Sequence, residues 1–523
     1  MPRSRKVYPV SVLVRRAALA AAFTLAVLWA AQLPDNAARL DLSIDPRMPA
    51  RVYLFKDNQP FRLSPIQALL PLKLDLFYRE RLWTSSAAPD TLEVTCNEQS
   101  HFILLNGRAS FDLPAGHYRV EAYRGLFYVP ASQEFDLTAG ETRSLSLSLK
   151  TWTEPAQWLS GDDHIHLVRR REDNAIFLRW LEAEDLTVAN FLQLQRQMDA
   201  AQQYAFGRDG EARTARYTIR PGHESRSHAY GHINLLGGSD LIRPLSTGTM
   251  YANSPEEYPF PALLFRKGRS LGATVGYAHF DGSQPHSTFL ADLALGNVDF
   301  IEVFQFGVLK TAEWYALLNA GLRVTGIAGS DFPVPISRTK DWPRWLPLLG
   351  PERTLVKADA KGDPYVAWAD GIRKGNVVVS NGPLAELDLD SAQTTATARG
   401  SFYRPLKRLD IVVNGRVAAS TPGDGKRSAL TASANLPPGE SCWVAAHAIA
   451  DNLPGEPEIQ AHTNPAYVVR TGKPIGDPAA RAAVAARWQK EVDWYRTSLD
   501  LSGERERKEF FDYAERASQA LKR

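Results

Sequence analysis

The chain has 523 residues, 44% of them hydrophobic, and its 61 Lys plus Arg against 58 Asp plus Glu leave a formal charge of +3. At about 150 residues per domain this is room for roughly three domains with sizeable cores, which excludes a fibre or a disordered tail, and the balanced charge, with no Lys/Arg block in the mature body, excludes nucleic acid as an expected partner. The only cysteines, Cys96 and Cys442, exclude a thiolate zinc cluster and a disulfide framework, so a bound metal must be held by histidines and carboxylates.

In chain order, Arg3, Arg5, Lys6, Arg15 and Arg16 precede an apolar run from Ala17 to Ala31. This run is short for a membrane span of about 20 residues and suits a signal-peptide core. Residues 1–38 therefore read as a signal peptide, or as an N-terminal anchor if uncleaved, and the protein as exported: periplasmic or extracellular, with a membrane tether as the second form. Residues 39–155 alternate with period two, as in Tyr118-Arg119-Val120-Glu121-Ala122-Tyr123 and Ser144 to Leu149, with turns at Pro114-Ala115-Gly116 and Ala139-Gly140. That pattern predicts an antiparallel β-sandwich-like domain.

Residues 156–382 alternate helical stretches with short apolar runs: helix over 260–267, strand over 273–278, strand over 298–306, helix over 311–320 stopped by Gly321, and strand over 323–328. This predicts an α/β sheet or barrel. Residues 383–472 return to β grammar, with Leu409 to Val413 running into an Asn414-Gly415 turn. Residues 473–523 carry Trp488, Val492, Tyr495 and Leu499 at helical spacing, a helix pair packed on the body.

Polar residues in the central region fall at or just past the carboxyl ends of predicted strands, the catalytic face of an α/β barrel. Seven of the 11 histidines, at 164, 166, 223, 228, 232, 279 and 286, lie in one 123-residue window. His164 and His166 project to one side of an extended segment, so one ion can take both. Asp162 and Asp163 are placed to ligate or to orient them. Glu224 in Pro-Gly-His-Glu is a candidate bridging carboxylate, and His232, His279 and Asp331 are further candidates. A hydrogen-bonding role stays open for His232, and an outer or surface position for His223, His228 and His286.

These residues sit in segments that resemble the CehA/McbA metallohydrolases, which are similar to carbaryl hydrolase and belong to the PHP (polymerase and histidinol phosphatase) superfamily. The resemblance runs over nearly all of the mature chain, through "LPAGHYRVEAYRG", "WLSGDDHIH", "PGHESRSHAYGHINLLG", "GYAHF", "ALGNVDFIEVFQFG", "WYALLNAGLRVTGIAGSDF", "GPERTLV", "VVVSNGP", "IVVNG" and "AHTNPAYV". It implies a distorted β/α barrel flanked by β-rich domains, with His164 and His166 as the HxH ligands, Glu224 as the bridge, His279 as a further ligand and Asp331 as the late aspartate. Two departures stand out: Leu186 to Asn190 lacks the Asp-His pair of many relatives, and the terminal Asp-x-His is Asp331-Phe332-Pro333. One or two divalent transition ions are therefore expected, zinc, manganese or iron, unless His228 or His232 substitutes for the missing ligands.

The reaction implied is hydrolysis of an ester, carbamate or related bond of a small-molecule substrate by a water activated at the ion. His232 or Asp331 would carry protons, and Arg226 or Arg338 would hold an oxyanion. No Gly-x-Ser-x-Gly elbow offers a serine nucleophile. A PHP-type phosphoesterase and an inactive exported binding or scaffold protein are the alternatives.

Overall fold

The computed structural model describes residues 36–63, 90–96, 99–196, 198–252, 256–333, 348–357, 362–453 and 455–523. The expected targeting run before residue 36 and Arg338 lie outside the described residues. Among the described residues, no helix is long and apolar enough to cross a membrane. The architecture is mixed α/β with a β-rich majority in several sheets and a helical C-terminal tail.

Near the N-terminus two sheets enclose one core. Ala37–Asp45, Arg108–Pro114 and Thr142–Ser148 form the first; Ala50–Lys56, Thr91–Cys96, Gln99–Leu104, Gly116–Tyr123 and Ala131–Leu137 form the second. Period-two alternation drives the packing: Phe111 and Leu113 point inward between half-buried Ser110 and exposed Asp112 and Pro114 and meet Val52, Leu54 and Val120 of the other sheet. One expectation is corrected here. The unit is not wholly antiparallel, because Ala37–Asp45 runs parallel to Thr142–Ser148 in register Leu42 to Leu145. Hairpin turns impose antiparallel pairing only on neighbours in sequence, and these two strands are joined by the whole unit.

The central region supplies the strands that carry the histidines: β1 (Trp158–Ile165), β2 (Val188–Arg196), β3 (Thr218–Ser227), β4 (Gly231–Leu236), β5 (Thr274–Tyr277), β6 (Phe300–Gln305), β7 (Thr325–Ala328), β8 (Arg353–Lys357) and β9 (Val378–Ser380). The helices are α1 (Asn174–Ala183) after β1, α2 (Pro261–Ser270) before β5, α3 (Phe289–Ala294) before β6, α4 (Thr311–Asn319) before β7 and α5 (Pro364–Lys374) after β8. The expected alternation is present: element edges coincide with the expected ranges or lie one or two residues inside them, except that α2 runs three residues past its expected end. The strands β1, β4 and β6 are buried at every residue, as they must be when both faces of a sheet are covered.

Pairing runs β1 parallel to β2 and β2 to β3, then antiparallel through β4 to β5, and parallel again through β6 to β7. Past β7 the chain meets β1 once more. Phe332 bridges Ile165 in parallel sense, with the His166 N–H donating to Phe332 O at 2.6 Å and the Phe332 N–H to His164 O at 3.1 Å. The first and last polar segments of the region thus come to lie side by side.

Beyond β8, which pairs antiparallel with β1, hydrogen bonding continues through β9 to Ile459–Thr463 and on to Cys442–Ala450 and Leu406–Val413. The latter turns at Asn414 (φ 48°) and Gly415 (φ 79°), the two left-handed residues of a tight hairpin. Cys442 is a buried free thiol. The tail forms α6 (Pro478–Ser498) and α7 (Glu504–Lys522). Trp488, Tyr495, Phe510 and Tyr513 share a core with Trp314 of α4 and Phe265 of α2, so the helix pair is docked on the body as its spacing predicts.

Candidate metal centre

Strand periodicity, pairing register and two left-handed residues together bring four separate segments to one point. His164 and His166 leave β1 on the same side, and the register slip between Asp162 and Ile165 re-aims them at the strand end. In the β3–β4 hairpin, Glu224 lies opposite Asn234 and Arg226 opposite His232, so all four side chains share one face. His279 follows the end of β5 and Asp331 the end of β7, both in the left-handed region at φ 56° and 52°. Such backbone in non-glycine residues is held only where its surroundings impose it.

The side chains converge. His164 Nε2 and His166 Nε2 are 3.0 Å apart; Glu224 Oε2 lies 3.1 Å from His166 Nε2, and Asp331 Oδ1 lies 3.3 and 3.4 Å from the two nitrogens. His279 Nε2 stands 3.8 Å from Glu224 Oε1 and 4.0 Å from Asp331 Oδ2, and His232 Nδ1 lies 2.9 Å from Glu224 Oε1. Two overlapping triads, His164-His166-Asp331 and His164-Glu224-His279, each have ligand atoms within 4.8 Å of one another. Ligand bonds of about 2.0–2.2 Å place neighbouring ligand atoms roughly 3–3.5 Å apart around one ion, and the shorter separations fall in that range.

The outer nitrogens decide what the inner ones are. His166 Nδ1 faces the Leu192 carbonyl at 3.0 Å, which can only accept, so Nδ1 carries the proton. His164 Nδ1 faces Glu302 Oε1 at 2.7 Å and His279 Nδ1 faces Gln305 Oε1 at 2.7 Å. The Gln305 amide is oriented by its own donation to Glu302 Oε2 at 3.1 Å. In the neutral imidazoles all three Nε2 atoms therefore present lone pairs to one another and to two carboxylates. Positive charge at the centre, from protonation or from a bound cation, would relieve that arrangement, so these residues could hold a metal ion.

The electrostatics point the same way. Burial lowers the His164 pKa, but Glu302 and Asp331 more than reverse it and hold it well above the usual imidazole range. Burial is likewise outweighed at His166 by Asp331 and Glu224, and at His279 by Glu224 and Asp331, both being raised. Burial pushes the Glu224 carboxyl up, yet His232, His164 and His166 pull it well below the carboxylate range. His232 differs: burial takes it down to about 4 against the pull of Glu224, so it is neutral at pH 7.

Every predicted ligand is thus in one cluster: His164, His166, Glu224, His279, His232 and Asp331. Arg226 is next to it, its Nη2 donating to Gln195 O at 2.6 Å and its guanidinium 4.7 Å from the Tyr251 ring centroid. Asp162 orients rather than ligates, since it accepts from the backbone N–H groups of His164, Ser330 and Gly350 and from the Ser330 hydroxyl. Asp163 turns toward Asn234. His223 is buried away from the ligand set and burial holds it down to about 3. His228 is exposed and lies outside the cluster; its neighbour in the hairpin, His232, borders the cluster through Glu224. His286 contacts the tail.

Sequence reasoning missed Glu302, Asn234 and Gln305. Glu302 accepts from His164 Nδ1, from the His279 N–H at 2.6 Å and from Asn234 Nδ2 at 3.0 Å, and His164 and His279 draw its pKa down to about 2 against burial. The available signal was a lone carboxylate inside the apolar run Phe300-Ile301-Glu302-Val303-Phe304, where an unpaired charge would be costly. No protein-family model, curated protein or solved structure matches the chain, so the chemistry rests on these side chains.

Proposed function

We propose that this chain is an exported metal-dependent hydrolase built on a distorted β/α barrel of PHP type, acting on an ester, carbamate or related bond. The observation that carries the reading is the set of Nε2 lone pairs of His164, His166 and His279 facing Glu224 and Asp331 at strand ends. The bridge from Phe332 back to Ile165 supports a barrel-like closure, and the strand-end position of the ligands suits such a barrel's catalytic face.

His164, His166, Glu224, His279 and Asp331 would hold one or two ions, with His232 Nδ1 in reach of Glu224. A divalent transition ion there would lower the pKa of water to about 7 and polarise an electrophile. Glu302 and Gln305 keep the imidazole tautomers that leave Nε2 free. His232, neutral and with Nδ1 turned inward, keeps Nε2 for accepting a proton and returning it to the leaving group. Arg226 shares the face of Glu224 and His232, and its buried Nε has no hydrogen-bond partner among the described residues, so it is placed to hold an anionic oxygen. That unspent donor also favours the second reading, a phosphoesterase, because a phosphoryl group presents more oxygens to it.

The test is metal analysis of the purified chain together with hydrolysis of aryl esters, aryl carbamates and aryl phosphodiesters. At least one transition ion per chain and chelator-sensitive turnover are expected. Preference for the phosphodiester would select the second reading, and an ion-free chain of unchanged stability would leave a binding or scaffold protein.

A further inference from the structure

The segment from His279 to Ser283 is the most strained stretch near the site: His279 (φ 56°), Phe280 (φ 82°) and Ser283 (φ 56°) are all left-handed without being glycine. Strain of this kind needs external support. Part of it is local, since Lys310 Nζ donates to His279 O at 3.0 Å. The loop is also pressed onto β4, the His232 N–H donating to Gly282 O at 3.0 Å. A Cβ on Gly282 would come within 2.6 Å of Gly231 Cα, so only glycine allows that approach.

This loop covers the outer side of His232. Gln284 Nε2 lies 3.1 Å from His232 Nε2 and donates to the Tyr251 hydroxyl at 3.1 Å. Just beyond it, the His286 ring stacks on Trp494 with centroids 3.6 Å apart and planes within 12°, and His286 Nδ1 meets Glu491 Oε2 at 3.0 Å. Arg487 reaches Asp281 at 3.1 Å. Positions 487, 491 and 494 are spaced i, i+4, i+7 and lie on one face of α6. A further anchor, Tyr495, donates to Ala229 O at 2.8 Å at the other side of the hairpin turn.

We infer that the tail helix α6 is a positioning element for the candidate metal centre, in which Trp494 and Glu491 hold the loop over residues 279–287 closed and so keep Gln284 on His232. This rests on His232 belonging to the proposed site; the geometry of the strap does not. A local opening would expose Nε2 of His232 while leaving the global fold intact.

The experiment measures carbethoxylation of His232 by mass spectrometry and amide exchange of Gly282 and His232 in the full chain. Trp494→Ala should speed both by roughly tenfold, the scale of a lost stacked pair, and Trp494→Phe should restore the wild-type rates. Val492→Ala is the control, because Val492 lines the seam between α6 and α7 and, by helical spacing, lies off the face of Arg487, Glu491 and Trp494 that meets the loop. If Trp494→Ala does not fold, Glu491→Gln should give a smaller increase of the same sign. Unchanged rates in both variants, or an equal rise in Val492→Ala, would overturn the inference. Metal content of the wild type is read separately: an ion-free chain with a working strap counts against the hydrolase, whereas a loaded chain without one counts only against the strap.

Discussion

Two groups of closely packed histidines lie among the described residues, and they are built on opposite principles. In the C-terminal sheet, His447 and His462 lie with ring centroids 5.0 Å apart, about as close as His164 and His166 at 4.9 Å. Yet His462 is satisfied on both nitrogens, by Thr463 O at 2.7 Å and the Tyr315 hydroxyl at 2.6 Å, and His447 Nε2 meets the Gln460 carbonyl at 2.8 Å. All of these partners are neutral. At the strand ends each imidazole uses its outer nitrogen on an acceptor and turns its inner nitrogen toward carboxylates. Proximity of imidazoles therefore says little about metal binding; the partner of the second nitrogen decides.

The largest effect that would sharpen this contrast is removal of the ligand pair. The double variant His164→Ala with His166→Ala should lose ion binding by more than the roughly 10–100-fold typical of an outer partner, read by calorimetric zinc titration, with the far-ultraviolet circular dichroism retained. His447→Gln with His462→Gln should bind ions as the wild type does. If the second pair were the one whose loss strips the ion, the contrast would be inverted.

Next in size is Glu224→Gln, which keeps shape and removes charge between His166 and His232. The expected result is fewer ions per chain and a fall in turnover of at least about 100-fold, and an unchanged rate would remove Glu224 from the reaction. Smaller again is Glu302→Gln. The amide still offers an oxygen to His164 Nδ1 but no charge, so ion affinity should drop by roughly 10-fold to 100-fold while the fold holds. Equal affinity in wild type and variant would mean that the His164 tautomer is set elsewhere.

Much of this site was legible because strand alternation and strand-end placement are written in short spacings: His164-Ile165-His166 is visible in three letters. Glu224 and His232 were visible as residues, but their sharing a face depends on the antiparallel register of β3 and β4, which no local pattern states. Glu302 and Gln305 were harder, since they act on His164 and His279 from a strand whose apolar neighbours marked it only as core. The β-rich flanks and the helix pair followed from period two and period 3.6. The parallel pairing of Ala37–Asp45 with Thr142–Ser148 did not, because it depends on how two sheets close over one core.

The smallest effect concerns pH and isolates the neutral pair. Burial lowers the His462 pKa from its ordinary 6.5 to about 3, with nearby His447 adding to the shift. In the unfolded chain the imidazole protonates below about 6.5; in the folded chain it stays neutral to about 3. Between those values the unfolded state binds more protons, so stability rises with pH across the window and is lost as pH falls through it. The slope from one such group is at most about 1.4 kcal/mol per pH unit. His462→Gln, which keeps an amide for Tyr315 and cannot titrate, should flatten the acid limb of urea-unfolding stability between pH 6.5 and 4.5 by part of that amount. The measurement belongs on chelated protein, since His164, His166 and His279 also exchange protons as an ion leaves. A variant whose acid slope matches the wild type would show that His462 is charged in the folded chain, and the division between a neutral histidine pair and a charge-seeking one would no longer hold.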